Sequence, residues 1–206
     1  FAEYYRRTGE TFLEDPTVRA KPKGLTLVTP PWNFSLAIPA GGALAALAAG
    51  NPVILKPAPE TPWVASEVAK AMWRAGVPKA ALQVVFAEDQ QASSLIKDSR
   101  VRVVVLTGAT ATAQLFHEIR PDLDLIAETG GKNATIVSDL ADRDLAIASV
   151  VASAFGHAGQ KCSATSVLIC LKEVYDSSRF LPALRDAAAS LPVGSAPMRY
   201  STAASS

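Results

Sequence analysis

Residues 101–116 read "VRVVVLTGATATAQLF", six almost wholly apolar residues followed by a turn of small residues and a helical pattern. A strand with one solvated face alternates apolar and polar residues, whereas a continuous apolar run is typical of a strand buried on both faces. Strands buried on both faces belong to parallel sheets that helices cover on each side. Residues 101–106 therefore predict a doubly wound α/β fold.

Short apolar runs and longer helical patterns alternate along the rest of the chain, as this fold requires. The clearest helix is predicted over 62–75, where Thr61 can cap the first turn and Gly76 ends the run. Further helices are predicted over about 1–13, 143–155 and 177–190. Strands are predicted near 25–29, 53–56, 82–86, 101–106, 123–127, 134–138 and 166–171. Ligands of such sheets bind beyond the carboxyl ends of the strands, so the residues after each strand are candidates for chemistry.

Composition narrows the class of partner. The chain has 206 residues, 49% of them hydrophobic, and a net charge of +1, which fits a globular protein with a sizeable core. Its 20 basic and 19 acidic residues form no long run of one sign, which argues against nucleic acid and anionic membranes as partners. The longest apolar segment, 35–50, is broken by Pro and Gly and is too short for a transmembrane helix. Since no export leader is visible and the two cysteines lack a disulfide spacing, we expect a cytoplasmic protein with reduced thiols.

Polar groups follow the first two predicted strands. Asn33 comes after the rigid turn of Pro30 and Pro31, where its amide is either an oxyanion donor or an ordinary turn residue. Lys56 ends the second strand and is locked by Pro57. Its ammonium group can donate to the hydroxyls or phosphates of a ligand, although lysines that only reach the surface are commoner. For both Asn33 and Lys56, the sequence leaves the ligand-binding and the structural interpretation open.

The ends of the fourth and fifth strands supply two more candidates. Thr107 and Gly108 lead into a helix whose N-terminal amides suit a phosphate, although a capped helix start without a ligand fits equally well. The segment lacks the G-x-G-x-x-G pattern of many dinucleotide sites. Glu128 follows the fifth predicted strand, 123–127, and precedes a glycine pair. A carboxylate in this position is either a general base or a solvated loop acid.

The two cysteines differ in their surroundings. Cys162 stands in "GHAGQKCSATS", residues 156–166, among small and polar residues, whereas Cys170 lies inside the apolar run "SVLICL". A lone cysteine is more often an inert core residue than a nucleophile. A reactive thiolate needs access and polar surroundings, and only Cys162 has a sequence context of that kind. We therefore predict that Cys162 is reactive and that Cys170 packs inside a buried strand.

Taken together, these segments resemble the aldehyde dehydrogenase superfamily. The resemblance rests on five motifs in family order: "PWNFS" at 31–35, "LKPAPETP" at 55–62, "LTGATATA" at 106–113, "ETGGKNA" at 128–134 and "GQKCSA" at 159–164. Cys162 follows Glu128 by 34 residues, which is similar to the family's spacing between general base and nucleophile. Five motifs in one order are far more specific than any one of them.

The resemblance implies a catalytic role for three residues. Cys162, as a thiolate, attacks the carbon of an aldehyde, and the Asn33 amide and the Cys162 backbone N–H hold the resulting oxyanion. Hydride transfer to a nicotinamide cofactor then leaves a thioester. Water activated by Glu128 hydrolyses the thioester, which releases a carboxylic acid and restores the thiol.

The resemblance also implies NAD as the cofactor, with NADP as the open alternative, and no metal. Lys56 is expected to contact the adenosine ribose, and the helix after Gly108 is expected to lie near the pyrophosphate. The other residues expected to bind the cofactor are Pro31, Trp32, Thr129 and Gly130.

Three positions depart from the family pattern. Pro59 stands where the family often has a glutamate that grips the ribose hydroxyls, Ala109 stands where a serine commonly meets the pyrophosphate, and Ala87 replaces a frequent glycine near the adenine. Loss of the glutamate removes one discriminator against a 2′-phosphate, which is why the choice between NAD and NADP stays open.

Within the superfamily, the motifs are most similar to those of the L-glutamate γ-semialdehyde (Δ1-pyrroline-5-carboxylate) dehydrogenases of proline catabolism, including the aldehyde dehydrogenase module of proline utilization A. This similarity implies a small aldehyde as substrate, with Ser163 as a substrate contact. It also implies a homo-oligomeric parent protein, with fusion to a proline dehydrogenase domain as one context. Two alternatives stay open: a dehydrogenase of another aldehyde such as succinate semialdehyde, and a noncatalytic nucleotide-binding fragment.

The domain organisation follows from the motif order. Residues 1–130 are expected to form a Rossmann-like NAD(P)-binding domain that lacks its first strands. Residues 131–196 are expected to begin a second, catalytic α/β domain that carries the nucleophile, and 197–206 to form a disordered tail. Because the family's later "E-x-F-G-P" motif is not in the sequence, we expect the chain to be a fragment of a longer enzyme.

Overall fold

The computed structural model describes residues 1–194. The chain divides into two compact units, and the boundary falls between Gly130 and Gly131. The assignment of these units to a cofactor-binding and a catalytic domain stays a prediction. The tail expected over 197–206 lies outside the described residues.

The first unit contains a five-stranded parallel sheet with the order β3-β2-β1-β4-β5. This is the order found in doubly wound dinucleotide-binding sheets, so the predicted fold class is confirmed. The strands are β1 Leu25–Thr29, β2 Val53–Leu55, β3 Leu82–Val84, β4 Val101–Gly108 and β5 Asp124–Thr129. The helices are α1 Ala2–Glu14, α2 Ala37–Ala48, α3 Pro62–Arg74, α4 Asp89–Lys97 and α5 Thr110–Ile119.

Each face of this sheet carries its own apolar core. Successive side chains of a strand point to opposite faces, so Leu27 and Val28 of β1 enter different cores. Val28 packs with β2 and β3 against small side chains of α2 and the apolar face of α3, including Ala43 and Met72. Leu27 packs with β4 against α4 and α5, where Phe116 is the largest contributor. Burial on both faces, which the apolar runs predict, is confirmed for β1 and β4.

Helix α2 approaches β1 very closely at Gly42. A Cβ atom added to this glycine would lie 2.8 Å from Cγ1 of Val28, closer than carbon atoms approach without a shift. Val28 is 1% exposed and branched at Cβ, so its side chain has little freedom to move away. Only glycine therefore allows this spacing between α2 and β1.

Arg120, just after α5, makes hydrogen bonds at the amino edge of the same sheet, where its strands begin. Its guanidinium group donates to the backbone oxygens of Ile96 at 3.2 Å, Asp98 at 3.0 Å and Val101 at 2.7 Å. Hydrogen bonds from a charged donor are stronger than neutral ones, so Arg120 ties the end of α4 to the start of β4.

The second unit has a two-stranded parallel sheet and its own core. Its strands are β6 Asn133–Val137 and β7 Thr165–Cys170, and its helices are α6 Arg143–Phe155, α7 Lys172–Tyr175 and α8 Phe180–Ala189. The Asp142 carboxylate caps α6 by accepting from the backbone N–H groups of Asp144 and Leu145 at 3.0 Å each. The core consists of Val137, Ile147, Val151, Val174 and Phe180. Within residues 1–194, no helix is long and apolar enough to cross a membrane.

Three local expectations differ from the structure. Thr61 is the N-cap residue of α3, but its side chain makes no capping hydrogen bond, and its backbone, with φ −134° and ψ 39°, lies outside the extended conformation usual for an N-cap residue. Cys170 is only partly buried. The apolar runs of the edge strand β5 and of the two-stranded sheet are not buried on both faces, since Ile126 is 52% and Ile136 is 68% exposed.

We predict opposite effects for alanine at two adjacent glycines of α2. G42A should lower the free energy of unfolding by about 1–3 kcal/mol, because the new methyl group overpacks against Val28. G41A should raise it by about 0.5–1 kcal/mol, because its nearest neighbour is the Tyr5 hydroxyl at 3.9 Å and alanine favours a helix over glycine. Urea unfolding of both variants measures the difference. Equal stability of the two variants would contradict the close contact between α2 and β1.

Candidate active site

The first unit places its candidate residues along one edge of the sheet. In the parallel register Val28 pairs with Leu55 and Thr29 pairs with Leu106, so β1, β2 and β4 end at the same edge. Asn33 and Lys56 follow β1 and β2, and Gly108 ends β4. Glu128 lies near the end of β5, where it pairs with Thr107 beside Gly108. This carboxyl edge is where ligands of doubly wound sheets bind, and the structure therefore brings the four residues to the expected side.

Asn33 lies in a turn between β1 and α2. Pro30 and Pro31 leave the strand without donating backbone hydrogen bonds, and the turn continues to Leu36 before the helix begins. Asn33 is partly buried, while the neighbouring Trp32 ring is 43% exposed. A partly buried side-chain amide at a strand end can donate to a ligand oxygen without losing all of its hydration first.

Lys56 is a buried cation at the end of β2. Its side chain is 8% exposed, and its backbone N–H donates to Val28 at 2.9 Å. None of the ion pairs among the described side chains, those of residues 1–88 and 91–194, involves Lys56. Burying a charge without an acidic partner costs free energy, so this position fits a lysine that donates to a ligand.

The start of α5 carries exposed backbone amides. Its N-cap residue is Ala109, and no side chain makes a capping hydrogen bond there. Serine, threonine, asparagine or aspartate normally satisfies an amide at this position. The alanine therefore leaves the positive end of the helix dipole, next to Gly108, open to an anion.

Glu128 differs slightly from its predicted position. It lies inside β5, paired with Thr107, and not in a loop after the strand. Thr129 pairs with Gly108 and ends β5, and Gly130 follows it. The side chain of Glu128 is exposed, and β5 is the edge strand of the sheet. A carboxylate held by a strand but open on its outer side can accept a proton from water.

A groove beside Lys56 was not predicted from the sequence. It has a volume of about 430 Å³ and lies where α3 and α4 approach the ends of β2 and β3. Trp63 and Phe86 line it and are 80% and 59% exposed. Large exposed apolar side chains around a concavity are typical of ligand sites. The only sequence signal was an aromatic residue directly after Pro62, at the solvated start of a helix.

Two of the departures from the family pattern lie in this groove. Pro59 and Ala87 both line it, and so does Glu88. The groove therefore includes the carboxylate of Glu88, although position 59 carries no glutamate.

In the second unit, Cys162 occupies the second position of a tight turn. The Ala164 N–H donates to the Lys161 backbone oxygen at 3.1 Å, which closes the turn over Cys162 and Ser163. Both residues are exposed, whereas Ala164 is 8% exposed and anchors the turn to the unit. The Cys162 thiol is thus accessible on a fixed loop, as its small and polar neighbours predict.

The backbone before this turn is left-handed. His157 and Ala158 have φ values of 56° and 55°, and Gly159 follows with a φ of 72°. Left-handed conformation is costly for residues with a Cβ, and such strain is concentrated at functional sites. The sequence signal was only the glycine at 159, since neither histidine nor alanine marks a left-handed turn.

The aldehyde dehydrogenase family model matches residues 2–205 of the chain. The chain therefore belongs to the aldehyde dehydrogenase family. A curated relative, the 1-pyrroline-5-carboxylate dehydrogenase of Staphylococcus saprophyticus, is 40% identical over 195 aligned residues, which cover 85% of this chain and 38% of the relative. The chain thus spans about two fifths of the length of the curated relatives that it matches.

Solved structures confirm the fold. Proline utilization A from Corynebacterium freiburgense superposes with a TM-score of 0.87 at 43% identity, over 93% of this chain and 20% of that one. The succinate-semialdehyde dehydrogenase from Burkholderia pseudomallei gives a TM-score of 0.85 at 34% identity, over 94% of this chain and 42% of that one.

We predict that the strain of the left-handed turn can be relieved at one position and increased at the next. A158G should raise the free energy of unfolding by about 1 kcal/mol, because glycine adopts a positive φ without cost. G159A should lower it by about 1–2 kcal/mol, because the residue has a positive φ and its Cβ would lie 3.1 Å from the Ala154 backbone oxygen. Urea unfolding tests both changes. A loss of stability in A158G would show that the turn is not strained.

Proposed function

We propose that the complete protein oxidises an aldehyde to a carboxylic acid with NAD or NADP, and that Cys162 is the nucleophile. The observation that carries this proposal is the exposure of Cys162 on a closed turn of polar residues. A structural cysteine is normally buried, whereas a nucleophilic thiolate needs access to its substrate. Membership of the aldehyde dehydrogenase family supports the same reaction class.

Cys162 begins the reaction. Its thiolate adds to the aldehyde carbon, so that a C–S bond forms and the carbonyl electron pair moves to oxygen. The Cys162 backbone N–H and the Asn33 amide are the donors assigned to this oxyanion, since preorganised N–H groups stabilise charge that develops in the transition state. When bound, the nicotinamide ring supplies the acceptor for the hydride that the adduct loses, and a thioester remains on Cys162.

Glu128 is assigned to the second half of the reaction. Its exposed carboxylate takes a proton from water, and the oxygen of that water attacks the thioester carbon. The C–S bond then breaks, the carboxylic acid leaves and the thiolate is restored. Gly130 fits this assignment because a Cβ there would meet no atom within 4 Å, so the backbone beside Glu128 is open.

Three features of the first unit fit the proposed dinucleotide. The buried Lys56 has no acidic partner among the side chains that the structure describes, those of residues 1–88 and 91–194, and suits a ribose hydroxyl. The uncapped start of α5 suits the pyrophosphate. The groove with Trp63 and Phe86 suits the adenine ring, because exposed aromatic faces stack on flat bases. We assign Pro31, Trp32 and Thr129, at the same edge of the sheet, to the nicotinamide half.

We propose L-glutamate γ-semialdehyde as the substrate, with Ser163 as its contact beside the nucleophile. The name of the Staphylococcus saprophyticus relative and the proline utilization A structure support this choice and a setting beside a proline dehydrogenase domain. Succinate semialdehyde is the second candidate, because a dehydrogenase of that name superposes with a TM-score of 0.85.

We predict that substitution of Cys162 and substitution of Glu128 reduce the rate of aldehyde oxidation to different extents. In the complete protein, C162A should reduce aldehyde-dependent NADH formation to background, whereas E128Q should slow it by about 100-fold or more, as expected for a general base. Absorbance of NADH measures both rates, and C170A is the matched control, which should keep full activity. Undiminished NADH formation by C162A would overturn the proposal, and NAD binding without turnover in the unsubstituted protein would support a noncatalytic nucleotide-binding role.

We further predict that the complete protein prefers the substrate with an amino-acid head group. The ratio kcat/KM should be higher for glutamate γ-semialdehyde than for succinate semialdehyde by about 10-fold or more, because a site that hydrogen-bonds the α-ammonium group discriminates strongly against a substrate that lacks this group. The same assay with both aldehydes measures the ratio. A preference for succinate semialdehyde would transfer the proposal to the second candidate.

A further inference from the structure

The side chain of Asn133 reaches the loop that carries Cys162. Its Nδ2 atom donates to the backbone oxygen of Cys162 at 2.6 Å and to that of Ala164 at 3.1 Å. Both acceptors are carbonyl oxygens, so only the NH₂ end of the amide can face them. Asn133 therefore bridges the two ends of the dipeptide that follows the nucleophile.

Strand pairing and hydrogen bonds within the second unit fix the position of Asn133. It is the first residue of β6, and its backbone pairs with Thr165 of β7. The hydroxyl of Thr165 donates to Ser153 of α6 at 2.9 Å and contacts the hydroxyl of Thr135 at 2.8 Å. Strand β7 is thus tied to both β6 and α6 at the point from which Asn133 reaches out.

The sheet is irregular at the same place. The register shifts between Asn133, which pairs with Thr165, and Ala134, which pairs with Val167, so β7 contains one extra residue there. Such bulges re-aim side chains and are frequent beside active sites. Here the bulge lies beside Asn133, whose side chain makes hydrogen bonds to the loop that carries Cys162.

The loop that carries Cys162 needs contacts from other parts of the unit to keep its conformation. Upstream of Cys162, the left-handed residues His157 and Ala158 store strain that only surrounding contacts can maintain. Downstream, the turn at Cys162 is closed by a single backbone hydrogen bond, from Ala164 to Lys161. The two bonds from Asn133 fix the peptide plane after Cys162 and the carbonyl at the end of the turn.

We infer that Asn133 is a positioning residue, which holds the backbone of Cys162 in the orientation that presents its thiol and its N–H to an aldehyde. This inference rests on the proposed function, in which Cys162 supplies both the nucleophile and an oxyanion donor. A displacement of about 1 Å in such a group can cost on the order of 100-fold in rate. Fixing the loop by side-chain bonds avoids that loss, because no reorganisation is then needed during the reaction.

The test uses the complete protein with the variants N133A, N133D and N51A. Asn51 is the matched control, because its side chain also holds backbone groups, accepting from Gly24 at 2.8 Å, but at the amino edge of the first unit's sheet. N133A should lower kcat by about 10- to 100-fold with the KM for NAD unchanged. N133D should lower kcat further, because its carboxylate would face two carbonyl oxygens. N51A should lower the unfolding midpoint and leave kcat unchanged.

Hydrogen–deuterium exchange supplies a readout that does not need activity. Amides of residues 160–164 should exchange faster in N133A than in the unsubstituted protein, and at an unchanged rate in N51A. A wild-type kcat in N133A, an unchanged exchange rate in that loop, or an equal loss of kcat in N51A would overturn the inference. If the unsubstituted protein oxidises no aldehyde, the proposed function fails on its own, while faster exchange in N133A would still support the hold on the loop.

Discussion

Burial of β1 and β4 on both faces of one sheet is the constraint from which the candidate site follows. Strands with no solvated face must pair all their backbone groups and be covered on both sides. In this sheet they are parallel, as is usual where helices cover both faces, and their carboxyl ends lie at a common edge. Gly108 ends β4 at this edge, Lys56 follows β2 there, and Asn33 lies in the loop after β1. The residues of this unit that are proposed for cofactor binding and for the oxyanion therefore share one edge of the sheet.

In the second unit, a stabilising core is set against a loop that lowers stability. Its core of β6, β7, α6 and α8 supports a loop whose backbone is strained at His157 and Ala158 and whose thiol is exposed. Strained and exposed features lower stability, and a fold retains them where the surrounding contacts over-determine the conformation. The contacts from Asn133 to the carbonyl oxygens on both sides of Ser163 are the clearest of these. These two hydrogen bonds stabilise the loop and also hold the proposed nucleophile in position.

Much of this organisation can be predicted from the sequence, because local patterns specify it. The continuous apolar runs predicted β1 and β4, and α6 begins and ends where the apolar pattern places it, at 143–155. Features that depend on tertiary contacts could not be predicted. The exposed groove at Trp63 and the reach of Asn133 both depend on neighbours distant in sequence. The missing cap at Thr61 depends on the backbone conformation at that residue, which the residue type does not specify. The exposure of β5 was missed because an apolar edge strand reads like a central one.

Trapping the covalent intermediate tests the central claim most directly. The E128Q variant of the complete protein would be mixed with NAD and glutamate γ-semialdehyde, quenched in acid and digested for mass spectrometry of the cysteine peptides. We predict the mass of the acyl group on Cys162, bound as a thioester and removed by hydroxylamine, with Cys170 unmodified. Formation of NADH without any acyl group on Cys162 would contradict the account.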